Sequence, residues 1–159
     1  AREREWLGQT PAARRKRAKW REQRYKELIE QKADFQADEV ELREKPALLA
    51  DIDDLLWADG LLIGTPEKFG YMSGAVKDFM DRTYYPAQDK VDALPYAIFV
   101  SAGNDGRGAV SAIERIAVGY KWKAVAEPLI CVGDPDEAML GRCRELGQTL
   151  AAGIAYGAF

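Results

Sequence analysis

The chain has 159 residues, the size of one domain and too short for two independent cores. Hydrophobic residues make up 47% and charged residues 31%, an ordinary balance for a soluble globular protein, and no apolar run approaches the ~20 residues that span a bilayer. The absence of histidine argues against a Ser-His-Asp hydrolase and a zinc centre, so chemistry here must rest on a cofactor, on carboxylates or on backbone groups.

The start, Ala1 to Trp6, is charged and does not read as a secretory signal, so cytosolic residence is the expectation. Residues Ala12 to Gln31 lack Gly and Pro and read as one helix. Within it Arg14, Arg15, Lys16, Arg17, Lys19, Arg21, Arg24 and Lys26 face Glu22 alone, although the net charge of the chain is −3. Such a run can mark a nucleic-acid or phosphate-binding surface; a solvated helix face is the preferred reading. Phe35 to Leu42 gives a weaker strand signal, with Val40 and Leu42 alternating with Glu39 and Glu41. Pro46 then opens a predicted helix over Ala47–Trp57, where Leu48, Leu49, Ile52, Leu55 and Leu56 recur at helical spacing.

Asp59-Gly60 breaks that helix, and Leu61-Leu62-Ile63-Gly64-Thr65-Pro66 has the look of a strand buried on both faces, as in a parallel sheet. Ser73 is positioned to cap a helix in which Val76, Phe79, Met80 and Thr83 share one face. Tyr96 to Val100 is a second buried strand, leading into Ser101-Ala102-Gly103-Asn104-Asp105-Gly106. A helix follows from about Ala109 to Val118. Val125 to Val132 reads as a last strand, with Pro128 suiting an edge or a bulge. Met139, Cys143, Leu146, Leu150 and Ile154 step along a closing helix. Neither Cys131 nor Cys143 belongs to a CxxC pair, and Cys143 reads as a small buried thiol.

Strands alternating with helices predict right-handed βαβ units and a parallel α/β sheet. Ligands of such sheets bind outside the carboxyl ends of the strands, which singles out Thr65 to Ser73 and Ser101 to Gly108. Both loops carry glycines that let the main chain approach a planar ligand, while Phe69, Tyr71, Tyr84 and Tyr85 offer aromatic faces. Each loop alone also reads as an ordinary turn beside core aromatics.

Together, G-T-P at Gly64–Pro66, F-G-x-M-S-G at Phe69–Gly74 and K-x-F-x-D-R-T at Lys77–Thr83 resemble the third strand, flavin loop and following helix of flavodoxin-like FMN proteins. The chain is similar above all to the NAD(P)H-dependent FMN reductases and WrbA-like quinone reductases, over about Ala47 to Phe159. The resemblance implies one flavodoxin-like domain over residues 1–159: a three-layer α/β/α sandwich around a five-stranded parallel sheet in the order 2-1-3-4-5. It implies that Pro66, Glu67, Lys68, Phe69 and Gly70 line one side of the isoalloxazine of FMN, and that Ser101, Ala102, Gly103, Asn104 and Gly106 line its pyrimidine edge. The phosphate loop would be Gly8–Arg14, with Gly8, Gln9, Thr10, Ala12 and Ala13 as contacts at a helix start.

That loop departs from the family pattern. Pro11 stands for a glycine and has no N–H, and Gly8 stands for a hydroxyl residue. The charged Ala1–Trp6 would be the most buried strand, where each unpaired charge costs several kcal/mol. Three readings stay open: the stretch is not that strand, its residues are not the natural ones, or this member has lost its phosphate site.

With FMN bound, the flavin would carry the chemistry, no side chain or metal being catalytic, and NAD(P)H would reduce it for a quinone or similar small acceptor. Thr10, Glu67, Phe69, Asn104 and Asp105 are the side chains expected to touch ligand or substrate. Tyr84-Tyr85-Pro86 is expected either in the pocket wall or in packing at a subunit or helix end. A homo-oligomer is implied by resemblance alone, with no membrane or nucleic-acid partner. Two alternatives remain at this stage: a flavodoxin-type electron carrier, and a cofactor-free interaction domain acting through the basic helix.

Overall fold

The computed structural model describes residues 40–159. The predicted helix Ala12–Gln31, most of the predicted strand Phe35–Leu42 and the whole of the Gly8–Arg14 loop lie outside the described residues. Val40 to Leu42 form no strand.

The order of elements is α1 (Ile52–Trp57), β1 (Leu61–Pro66), α2 (Gly74–Ala87), β2 (Pro95–Ala102), α3 (Arg107–Gly119), β3 (Lys123–Ala124), β4 (Leu129–Val132) and α4 (Glu137–Ala155). All strand pairs are parallel. β1 matches β2 along its whole length, from Leu61 opposite Tyr96 to Pro66 opposite Ser101. On the other side of β2, β3 pairs with Pro95–Tyr96 and β4 with Phe99–Ala102.

β3 and β4 thus share one lane of the sheet, in place of the single strand predicted over Val125–Val132. Pro128 has no N–H to give the ladder, and the chain takes two extra residues between the paired segments. An insertion of two keeps the alternation of side chains, so Leu129 still faces the same layer as Ala97.

Alternation along β2 sorts the core into two layers. Tyr96, Ile98, Val100 and Ala102 join Ile63, the inner faces of α2 and α3 and Leu55 of α1 in one cluster. Ala97 and Leu129 pack with Leu146, Met139 and Cys143 of α4 on the opposite face. Helices on both faces of a parallel sheet are the expected α/β architecture.

The helix predicted from Ala47 begins five residues later. Asp51 accepts from the N–H groups of Asp53 and Asp54 while Asp54 accepts from the N–H of Asp51, a complete capping box. An aspartate that bonds its own backbone this way ends whatever precedes it, so Pro46–Ala50 closes as a turn instead. Arg82 of α2 holds that turn, donating to the carbonyls of Ala47 and Ala50, with its Nε on Asp78.

α2 runs four residues past Thr83 and takes Tyr84-Tyr85-Pro86 into its last turn. Thr83 donates to the Phe79 carbonyl and meets the hydroxyl of Tyr120, which donates to the carbonyl of Met80. Tyr120 stacks on Trp122 at 4.2 Å, and burial pushes its hydroxyl up to about 12.

Candidate flavin site at the carboxyl ends of β1 and β2

Pro66 and Ser101 are register partners at the ends of neighbouring strands, so the two loops singled out from sequence leave the sheet side by side. The first is closed at its base by Thr65. Its hydroxyl donates to the carbonyl of Pro66 and accepts from the N–H of Ser73 at 2.9 Å, while Ser73 caps α2 through the N–H of Val76. Met72, 2% exposed, anchors the loop in the core.

Between these points the chain makes a two-residue hairpin. Lys68 and Tyr71 exchange both backbone hydrogen bonds, at 2.8 and 3.0 Å. Phe69 and Gly70 occupy the turn with φ of 51° and 68°, the conformation of a type I′ turn. A phenylalanine in this region is strained by roughly 1–2 kcal/mol. Its ring is fully exposed, at 108%. Strain and exposure on one aromatic at the rim of the sheet are hard to reconcile with a purely structural role.

The second loop starts as β2 ends. The N–H groups of Gly103 and Asn104 find no acceptor among the described residues, and both residues are exposed. Asp105 turns its carboxylate back onto the N–H of Arg107. Gly106 caps α3 with φ of 70°, and a Cβ there would lie 2.5 Å from Ile130, so this position admits glycine alone. Space beside Gly70 and Gly103 is open.

Two contacts join the loops. The N–H of Glu67 donates to the carbonyl of Ser101 at 2.8 Å. Its carboxylate accepts from the N–H groups of Gly108 at 3.1 Å and Ala109 at 3.4 Å, in the first turn of α3. Gly108 itself was not singled out as a contact from sequence. A Cβ on it would come within 1.9 Å of the carbonyl oxygen of Gly70, so the hairpin tip lies directly on the start of α3.

The structure therefore brings Pro66, Glu67, Lys68, Phe69 and Gly70 together with Ser101, Ala102, Gly103, Asn104 and Gly106 at one end of the sheet. Gly8, Gln9, Thr10, Ala12 and Ala13 lie outside the described residues. Of the side chains expected at the ligand, Phe69 and Asn104 are exposed, Asp105 is engaged with Arg107 N, and Glu67 with α3. Tyr84 and Tyr85 do not reach this end. They sit about 15 Å along α2 from its start, in edge-on contact with each other, and Tyr84 meets Tyr120 edge-on at 5.0 Å. Tyr84 packs at the end of α2, and Tyr85 is largely exposed there.

A flavin ring presents a flat apolar face and a polar edge rich in acceptors. Main-chain donors unpaired among the described residues, an open floor at Gly70 and Gly103 and an exposed aromatic ring fit that combination. Among the described residues no group of His, Cys, Asp and Glu could hold a metal ion. None of the described helices is long and apolar enough to cross a membrane.

Comparison with known proteins agrees with this geometry. Residues 17–130 match the family model described as NADPH-dependent FMN reductase. A curated flavodoxin from Aquifex aeolicus (strain VF5) is 29% identical over 133 residues, covering 73% of this chain and 71% of that protein. A flavodoxin from the domain Archaea superposes with a TM-score of 0.62 at 19% identity, covering 86% of this chain and 90% of that one. The rubredoxin oxygen:oxidoreductase of Desulfovibrio gigas gives a TM-score of 0.53 at 16% identity over 61% of this chain, which spans only 23% of that enzyme's length. These structural likenesses establish the α/β flavodoxin-like fold, and the family match establishes the membership: the chain belongs to the NADPH-dependent FMN reductase family.

Proposed function

We propose that the protein is an FMN-dependent oxidoreductase that takes electrons from NAD(P)H and delivers them to a quinone or a similar small acceptor. The observation that carries the reading is the pair of loops that leave the ends of β1 and β2 side by side, one with amides at Gly103 and Asn104 unpaired among the described residues, the other with the exposed ring of Phe69. On this reading the described lanes are the third to fifth of a five-stranded sheet ordered 2-1-3-4-5. FMN when bound supplies two-electron chemistry, in which NAD(P)H, a proton and a quinone give NAD(P)⁺ and a quinol.

The chain's own residues bind and orient. Amides of Phe69, Gly70, Gly103 and Asn104 take the polar edge of the ring, and Phe69 covers its apolar part. The open side leaves nicotinamide and acceptor to stack in turn. Subunits pair as a homo-oligomer, which narrows that side further. The protein works in the cytoplasm.

A flavodoxin-type electron carrier is the second reading, favoured by the relative from Aquifex aeolicus that bears that name. Anaerobic mixing of the FMN-loaded protein with NADPH or NADH separates the two. Bleaching of the visible flavin bands, reversed by added quinone, is the result expected of the reductase. Bands that persist with both nucleotides would leave the carrier.

A further inference from the structure

The caps of the four described helices differ in one respect. Asp51, Ser73 and Asp136 cap α1, α2 and α4 with their own side chains. α3 has a glycine at that position, makes no side-chain cap bond and carries no acidic residue in its first turn. Of its leading N–H groups, that of Arg107 is taken by Asp105, and those of Gly108 and Ala109 by Glu67, which lies 41 residues before Gly108 and inside the flavin loop. A carboxylate at a helix N-terminus is held by both hydrogen bonds and the helix dipole.

We propose that Glu67 is the positioning residue of the flavin site: by gripping the N–H groups of Gly108 and Ala109 it seats the Lys68–Tyr71 hairpin on α3 and thereby sets the affinity for FMN. The inference rests on the flavin reading above. Three observations converge on it. One residue ties the hairpin to both neighbours, through its N–H to Ser101 and through its carboxylate to α3. The backbone of Gly70 is pressed against Gly108, which only the absence of a Cβ permits. The remaining tie, from Thr65 to Ser73, closes the base of the loop but does not reach its tip. Among the described residues the Glu67 carboxylate is the side chain that ties the hairpin to α3.

The grip also occupies the amides that an anionic ligand would use at α3. The first turn of α3 therefore has no free amide at Arg107, Gly108 or Ala109 to offer an anion.

The test compares wild type, Glu67→Ala, Glu67→Gln and, as a control for lost capping, Asp51→Ala. FMN is titrated into each apoprotein by fluorescence quenching, and the absorption spectrum is taken at saturation. Glu67→Ala is expected to weaken FMN binding about tenfold to a hundredfold, the worth of hydrogen bonds to a charged group. Glu67→Gln keeps an acceptor oxygen and should recover about half of that loss on a logarithmic scale. The visible band of FMN bound to Glu67→Ala shifts, because the loop amides meet the ring differently. Asp51→Ala loses a cap of the same kind far from the loops and keeps wild-type affinity and spectrum. Wild-type affinity and spectrum in Glu67→Ala would overturn the assignment. A wild type that takes up no FMN would overturn the flavin reading itself, a result visible before any variant is compared.

Discussion

Phe69 is the residue at which stability and ligand binding pull apart. Its φ of 51° costs energy, and its exposed ring gains nothing from burial in the protein. Phe69→Gly should therefore leave stability unchanged or raise it by up to about 1 kcal/mol, after allowing for the freer unfolded chain. The same variant should weaken FMN binding, and urea unfolding paired with FMN titration measures both effects. A clear loss of stability would contradict the strain argument. Gly108→Ala has the opposite sign. The added methyl meets backbone rather than a flexible side chain, so a loss of about 1–3 kcal/mol is expected together with impaired flavin retention. Both glycine-rich loops were legible in the sequence, since they follow strands whose apolar runs are unambiguous. The partnership of Glu67 with Gly108 and Ala109 was not legible, because a cap supplied across 41 residues leaves no local pattern.

Helix starts show the same limit at the scale of elements. Ser73 was readable as a cap because its helix has one apolar face beginning at Val76. Over Ala47–Trp57 the leucine spacing suggested continuity, whereas Asp51 and Asp54 bond each other's backbone and start α1 at Ile52. Lys45 lies against Asp54, and that hydrogen bond holds its carboxyl below the usual range. Asp51→Ala should cost about 1 kcal/mol, read as a lowered melting temperature. An unchanged melting temperature would show that the box adds nothing to the turn held by Arg82. Pro128 gave correct warning of an irregular strand, but the resulting division into β3 and β4 depends on β2 accepting both segments on one edge.

At the scale of the molecule, the sandwich of α2 and α3 against the sheet, with α4 behind it, followed from alternating strand and helix patterns. Its interior carries two tyrosines, Tyr96 and Tyr120, pushed up to about 12 chiefly by burial. A raised acid favours the protonated form in the fold. Its contribution is complete below the ordinary tyrosine value near 10 and is lost as pH rises through about 12. Melting temperatures should thus fall in that window, and Tyr120→Phe should flatten the fall. The two loops meet at the opposite end of the molecule. Backbone amide NMR of the ¹⁵N-labelled apoprotein, with and without one equivalent of FMN, tests whether flavin binds there. The largest shifts are expected at Phe69, Gly70, Gly103 and Asn104, with the amides of α4 unmoved. Absence of shifts, or shifts concentrated away from the ends of β1 and β2, would contradict binding there.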